Sequence, residues 1–363
     1  MTLMAVSGKG SRIVFRSRLL EVQRAGQAVH SLPAAEVTEV HCYGEVELAA
    51  SARAWLLGQG TPTLFFSARG TWMGRLEGPE SRQGERRWRQ VSFLQDPLQR
   101  ATLARAMVAG KIHNQRQVLL RWARSHGAPE LDGAARALAL LEGRAGACTD
   151  LEVLRGLEGL AARHYFGVFP RALQNPAFAF HGRNRRPPRD PINAALSFLY
   201  AVMLNRVQSA VWAAGLDPYV GALHETGRGA PCLALDLMEE LRPMVDRLVM
   251  RLVNLGSLSP ADFIDPAARG LLVSMVPADA LREEEEAAQE PAPVGEGEAV
   301  WLGETARGIV LRELLTMWRS EAPSPARGDQ RFALQEVVRH QALQVAAVVE
   351  GRQARYLPLV LPH

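Results

Sequence analysis

The residues whose types and spacing could do chemistry lie in LHETGRGAPCLALDLMEELRP, residues 223–243 of a 363-residue sequence. His224 precedes a glycine-bearing turn, and Asp236, Glu239 and Glu240 follow on an apparent helix. With Asp236 as the origin of a helical wheel, Glu239 and Glu240 fall at roughly 300° and 40°, while Leu237, Met238, Leu241, Met244, Val245, Leu248 and Val249 fill roughly 80° to 220°. The acids therefore cluster opposite the apolar stripe. A plain solvated face would look the same, so periodicity leaves both readings open. Two features favour a site. The carboxylates repel one another, with no lysine four residues on, unless a cation intervenes. Pro243 also withholds the N–H that would bond the Glu239 carbonyl.

A further acid, Glu158, stands in GLEGLAARHYF between Gly156 and Gly159. A glycine inside a helix costs about 1 kcal/mol against alanine, so the pair predicts a close approach there. If a bundle brought Glu158 beside His224, two carboxylates and one imidazole would suit Mg2+ or Mn2+; Zn2+ more often takes further histidine or thiolate.

The elements that must position these groups fall into two textures. RIVF, LLEVQ, AVHSL, EVTEVHCY, EVEL and TPTLFF, within residues 11–76, are β-branched or alternating and are punctuated by Gly26, Gly44, Gly60 and Gly70. ASARAWLLGQG reads as a short helix ended by glycine. From about Glu85 apolar residues recur at three- and four-residue spacing, which predicts helices over 96–125, 130–143, 150–169, 191–215 and 234–254, and again over 300–320 and 331–350. The fold class is α+β: a small β-rich domain over 1–84, then a larger all-α domain over 85–363.

Between the third and fourth of these helices, FHGRNRRPPRDP carries Arg183, Arg185, Arg186 and Arg189, and its prolines forbid a helix. Net charge is +4, but REEEEAAQEPAPVGEGE places seven glutamates in 283–298, so the chain without that segment carries +11. Segment 283–298 has the composition of a flexible acidic insertion. The basic remainder, rich in arginine, suits a polyanion partner, although arginine-favouring codons would produce the same bias. No stretch approaches the apolar length of a membrane span, and Cys42, Cys148 and Cys232 are too scattered for paired disulfides. A reducing cytoplasm is the simplest home.

GLEGLAARHYF, GRNRRPPRDPINAALSFLYAVM and GLDPYVGALHETGRGAPCLALDLMEELRPMVD, with GKIHNQR at 110–116, together resemble the CRISPR-associated integrase and endonuclease family, the first-numbered of the Cas proteins. The four motifs occur in family order and the likeness covers most of the chain. By position it implies metal ligands at Glu158, His224 and Glu239, with Asp236 as an auxiliary ligand or a carboxylate behind them. Glu240 falls outside the set, as a surface or ion-pair residue. Arg242 is a phosphate or carboxylate partner; Tyr165, Arg163 and Asn193 are near-site candidates. Lys111, Arg116, Arg163, Arg183, Arg185, Arg186, Arg189 and Arg242 are the candidates for DNA contact. His113, His164 and His181 have no motif position, and Trp122, Trp212 and Trp301 fit apolar stripes.

The implied activity is metal-dependent transesterification with Mg2+ or Mn2+, in which the 3′-hydroxyl of a short double-stranded DNA fragment attacks the edge of a CRISPR repeat. The implied partners are DNA, a second copy through the β-rich domain, and a small ferredoxin-like Cas adaptation subunit, with no membrane. The acidic segment departs from the compact family pattern and is expected to compete weakly with DNA. Two other functions stand beside it: a metal-dependent nuclease acting on branched or single-stranded DNA in repair, with the same residues and water as nucleophile, and a non-enzymatic DNA-binding scaffold whose acidic cluster is merely surface.

Overall fold

Alternation near the N-terminus resolves into two four-stranded sheets. The structure, a computed structural model, describes residues 2–67, 72–76, 84–184, 187–224, 229–264, 299–328 and 330–361. The chain divides into two units, Met1–Arg82 and Gln83–His363.

In the first unit β1 (Thr2–Ser7), β5 (Val37–Tyr43), β7 (Thr63–Phe66) and β8 (Trp72–Leu76) form one sheet in that order, parallel except for the last pair. The other sheet runs β4 (Gln27–Pro33), β3 (Leu19–Arg24), β2 (Ser11–Arg16), β6 (Val46–Leu48). Two tight hairpins set its register. Ser17 and Arg18 join β2 to β3 with φ of 50° and 64°, and Ala25 and Gly26 join β3 to β4 with 49° and 78°. Left-handed backbone at both central positions matches the twist of the flanking strands. Helix α1 (Ala50–Gln59) ends at Gly60 in the left-handed region. Ile13, Leu20, Val40, Ala52 and Leu56 are the centre of this unit's core. Strands β1 and β8 have no counterpart in the sequence-based reading.

The second unit is helical. Its long helices begin where an aspartate can bind the first free N–H groups: Asp96 caps α3 (Pro97–His126), Asp150 caps α5 (Leu151–Gly167) and Asp190 caps α6 (Pro191–Ala213). Helix α4 (Pro129–Ala147) packs beside α3, and α2 (Gly84–Gln95), which the sequence reading had not drawn, precedes it. Two short antiparallel pairs, β9 (Phe263–Ile264) with β10 (Trp301–Leu302) and β11 (Glu321–Ser324) with β12 (Gln330–Ala333), interrupt the expected all-α unit around α9 (Glu304–Arg319) and α10 (Leu334–Val349).

The largest difference falls at the acidic motif. The single helix predicted over 234–254 is two, α7 (Cys232–Met238) and α8 (Arg242–Asn254), with Glu239–Leu241 forming the turn between them. Pro243 lies in the first turn of α8, where its missing N–H is harmless. Across the junction the bonds tighten to three-residue spacing, from Glu239 N to Asp236 O at 3.3 Å and from Leu241 N to Met238 O at 2.9 Å. Asp236, Glu239 and Glu240 are at most 1% exposed, so the solvated-face reading fails. The acidic segment 283–298 lies outside the described residues. Among those described, no helix is long and apolar enough to cross a membrane, and the three cysteines are free.

Candidate functional site

Helix α7 holds His224 through Asp236, which is fully buried. One carboxylate oxygen, Oδ2, accepts the N–H groups of Ala222 (2.6 Å) and Leu223 (3.1 Å). The other, Oδ1, accepts the His224 N–H (3.0 Å) and the ring Nδ1 (2.6 Å). A carboxylate only accepts, so Nδ1 is the donor, and in a neutral ring the lone pair falls on Nε2. The carbonyls of the same loop are held from two other helices: Arg100 of α3 donates to Ala222 O at 2.8 Å, and Arg155 of α5 donates to Leu223 O at 2.9 and 3.2 Å. Arg155 sits three residues before Glu158, so the loop carrying His224 is tied to the helix carrying that acid.

The approach between loop and helix requires a glycine. A Cβ at Gly221 would fall 2.7 Å from the backbone carbon of Cys232 and 2.8 Å from Asp236 Oδ2. Gly221→Ala is therefore expected to destabilise the protein by about 2 kcal/mol, a Tm loss of several degrees in calorimetry; an unchanged Tm would show that the loop has room to spare. Gly156 is the converse case. A Cβ there would meet nothing within 4 Å, so the close approach expected at that glycine is absent.

Lys111, from the GKIHNQR motif on α3, connects the two remaining acids. Its Nζ is ion-paired with Glu158 Oε1 and lies 2.5 Å from Glu239 Oε2. Arg242, the first residue of α8, places Nε 3.0 Å from the other Glu239 oxygen. The side chains of Lys111 and Glu239 are 6% and 1% exposed, while that of Glu158 is 19% exposed. Lys111 is thus no surface contact for DNA: it is buried between the acids. The signal for this was available in the sequence, since Lys111 interrupts an apolar run whose Met107, Val108 and Ile112 are fully buried. Glu158 and Glu239 converge on one cation position, and oxygen donors of this kind fit Mg2+ or Mn2+. As the side chains stand, no group of three or more His, Cys, Asp or Glu among the described residues is spaced to hold a metal.

Behind Arg242 lies a buried polar cluster that sequence reasoning did not find. The guanidinium stacks over the Tyr200 ring at 5.0 Å, with Arg183 over the same ring at 5.4 Å. The Tyr200 hydroxyl donates to Asp246 Oδ1. Burial raises the Asp246 carboxyl to about 6, against the opposing pull of Tyr200, Arg183 and Arg242. Tyr165 is fully buried beside Asp246, and burial raises its hydroxyl well above the usual range.

Glu240 points the other way. It is covered by α10 and the C-terminal tail, where Leu359 N donates to Oε2 at 2.7 Å and Gln341 Nε2 at 3.2 Å, with the Tyr356 hydroxyl also bonded. Burial pushes its carboxyl up to about 8. The surface reading of Glu240 is therefore corrected. GKIHNQR builds this contact too: Asn114 donates to Glu240 O and Leu359 O, both at 2.8 Å, and a Cβ at Gly110 would lie 2.5 Å from Pro358.

The other candidates are dispersed. Arg183 Nη1 donates to Asn193 Oδ1 at 2.6 Å, and Asn193 bonds Gly182 O and Asp190, so this pair fastens the basic loop to α6. Arg116 lies 3.6 Å from Glu142, Arg163 is exposed on α5, and Arg189 is partly exposed; Arg185 and Arg186 lie outside the described residues. His113 pairs with Glu142 at 2.9 Å, while His164 and His181 are exposed. Trp122 and Trp301 are buried, and Trp212 receives Arg87 over its ring.

Residues 4–283 match the model of the family described as CRISPR associated protein Cas1. The CRISPR-associated endonuclease Cas1 1 of Thermus thermophilus is 41% identical over 255 residues, 70% of this chain and 76% of that protein. Its namesake in Moorella thermoacetica is 38% identical over 253 residues, 68% and 74% of the two chains. Among solved structures, a casposase bound to its integration product superposes with a TM-score of 0.77 at 18% identity, covering 100% of this chain and 94% of that one. A CAS1 protein from Thermotoga maritima superposes at 0.73 and 19%, covering 100% and 99%. At such identities these two likenesses speak to the fold.

Proposed function

This chain belongs to the Cas1 family of CRISPR-associated proteins, and from that premise we propose that it joins the 3′-ends of short DNA fragments to a CRISPR repeat by metal-dependent transesterification. The observation that carries the reading is the convergence of Glu158, on α5, and Glu239, in the turn between α7 and α8, on one buried cation position. His224 supports it, because Asp236 fixes the ring with its lone pair on Nε2. Glu158, Glu239 and His224 are the residues that would hold Mg2+ or Mn2+. When bound, the ion would act as a Lewis acid on the attacked phosphodiester.

The chain's own residues would do the rest. Arg242, steadied by Glu239 and the Tyr200 ring, presents a guanidinium able to pair with a phosphate oxygen. The arginines of the basic loop and of α5 would hold the DNA through its phosphates with little base reading, as variable fragments require. One P–O bond forms to the incoming 3′-oxygen and one breaks at the repeat's 3′-oxygen, with the proton passing from the first to the second. No covalent enzyme intermediate is needed. The active assembly would include a second copy of the chain and a small Cas subunit; the fold's likeness to a chain of a Cas6-RT-Cas1–Cas2 complex supports a Cas partner.

The test incubates the protein with Mg2+ or Mn2+, a double-stranded fragment bearing 3′-hydroxyl ends and a plasmid carrying a repeat, with and without the small subunit. Joined products are expected. Cleavage without joining would make the protein a nuclease, and binding alone would make it a scaffold; either result sinks the proposal.

A further inference from the structure

The composition contains an anomaly that bears on the site. The chain's 42 basic residues include only two lysines, Lys9 and Lys111. Lys9 is a surface residue, its side chain 89% exposed. Lys111 is the opposite, with its side chain 6% exposed and its ammonium against both Glu158 and Glu239. A sequence that otherwise uses arginine for positive charge places its one buried lysine between two carboxylates proposed as metal ligands. The chemistry explains the choice. A guanidinium is a planar fork, whereas an ammonium is a compact point charge on a flexible stem, closer in shape to a bare cation.

From this we propose that Lys111 is the resident counter-ion of the Glu158–Glu239 pair, and that a divalent cation binds by exchanging for its ammonium. The inference rests on the metal-ligand reading of those two acids. Glu239 has one oxygen toward each of two cations, Lys111 and Arg242, and Glu158 shares the first of them. A dication added to this arrangement would meet two positive charges where screening by water is weak. One of them must leave. Arg242 is anchored on its far side by the Tyr200 ring and lies against Glu239. Lys111 spans both acids, at the point where a shared metal ion would sit, and its four-carbon stem can swing. In the metal-free protein Lys111 is thus a positioning residue, holding converged two carboxylates that would otherwise repel each other.

The exchange predicts the sign of an effect that a merely structural lysine would not produce. A lysine that only braces the fold would, when removed, weaken metal binding or leave it unchanged; a lysine that competes with the metal would, when removed, strengthen it. Mn2+ binding to the full-length protein without DNA, followed by the electron paramagnetic resonance of unbound Mn2+, distinguishes the two. Lys111→Met is expected to bind Mn2+ at least tenfold more tightly than the wild type, and to have a lower Tm in EDTA that Mn2+ restores. An equal or weaker affinity in this variant overturns the proposal.

A second measurement needs no variant of the lysine. Reductive methylation of the wild-type protein, read by mass spectrometry with Lys9 as internal reference, reports how available the Lys111 amine is. Saturating Mn2+ is expected to raise its rate at least fivefold over EDTA, and an unchanged or slower rate overturns the exchange. Glu158→Gln serves as the site control and is expected to lose the ion. If Mn2+ binding survives that change, the ligand reading itself fails, and this inference fails with it.

Discussion

Asp236→Asn, which replaces one oxygen by a nitrogen, is expected to lower the Tm by roughly 6 °C and to reduce DNA joining at least 100-fold. The carboxylate accepts four hydrogen bonds, two at each oxygen, from three consecutive backbone N–H groups and the His224 ring. An asparagine offers only one oxygen. Whichever way the amide turns, one pair of donors faces an NH2 group instead of an acceptor. Each buried donor left unpaired costs about 1–3 kcal/mol, so the pair costs about 4 kcal/mol, and a protein of this size loses roughly 1–2 °C per kcal/mol. With the amide oxygen toward Ala222 and Leu223, the histidine loses its orientation. With the oxygen toward His224, the loop before it loosens. His224→Ala is the informative comparison, since it removes only one of the four donors and should abolish joining with a smaller loss of Tm. If Asp236→Asn abolished joining at unchanged Tm, Asp236 would instead be a ligand in its own right.

That contrast shows what the sequence could and could not disclose. Alternation and glycine punctuation located six strands of the first unit, because a strand half-buried in a sheet writes its period into the chain. They missed β1 and β8, whose partners β5 and β7 supply the pairing. In the second unit the three- and four-residue apolar spacing placed the starts of α3 and α6 to within one residue. At the acidic motif the single helix and the surface position of Glu240 failed for two physical reasons. A wheel assumes one continuous helix, and the turn at Glu239–Leu241 breaks it. A wheel also assumes that the face opposite the apolar stripe meets water, whereas here it meets other parts of the chain: the loop at 222–224 covers Asp236, Lys111 and Arg242 cover Glu239, and the tail at 356–361 covers Glu240. Apart from Arg242, three residues after Glu239, none of these contacts is local, so no periodicity could register them. The family resemblance placed Glu158, His224 and Glu239 in one set, and only the tertiary contacts show Lys111 joining two of these acids.

Glu240 carries the second large effect, in the dependence of stability on pH. Burial raises its carboxyl to about 8 from the ordinary 4.5. Between those values the unfolded chain has released this proton while the folded one retains it, so rising pH favours unfolding. The stabilisation is fully present below about 4.5, declines steadily above it, and is gone once the pH passes about 8. Three and a half units at about 1.4 kcal/mol each set an upper bound on the order of 5 kcal/mol. Glu240→Gln removes the titration while keeping an oxygen to accept from Leu359 N and Gln341, and its amide can donate to the Tyr356 hydroxyl. At pH 5 the variant and the wild type are expected to melt within a few degrees of each other. By pH 8 the variant should melt higher, by up to about 10 °C. Asp246, also raised by burial, is common to both proteins and cancels in the comparison. A Tm difference that stays constant from pH 5 to pH 8 would mean that Glu240 is already ionised in the folded protein, and that the contacts from α10 and the tail hold a carboxylate.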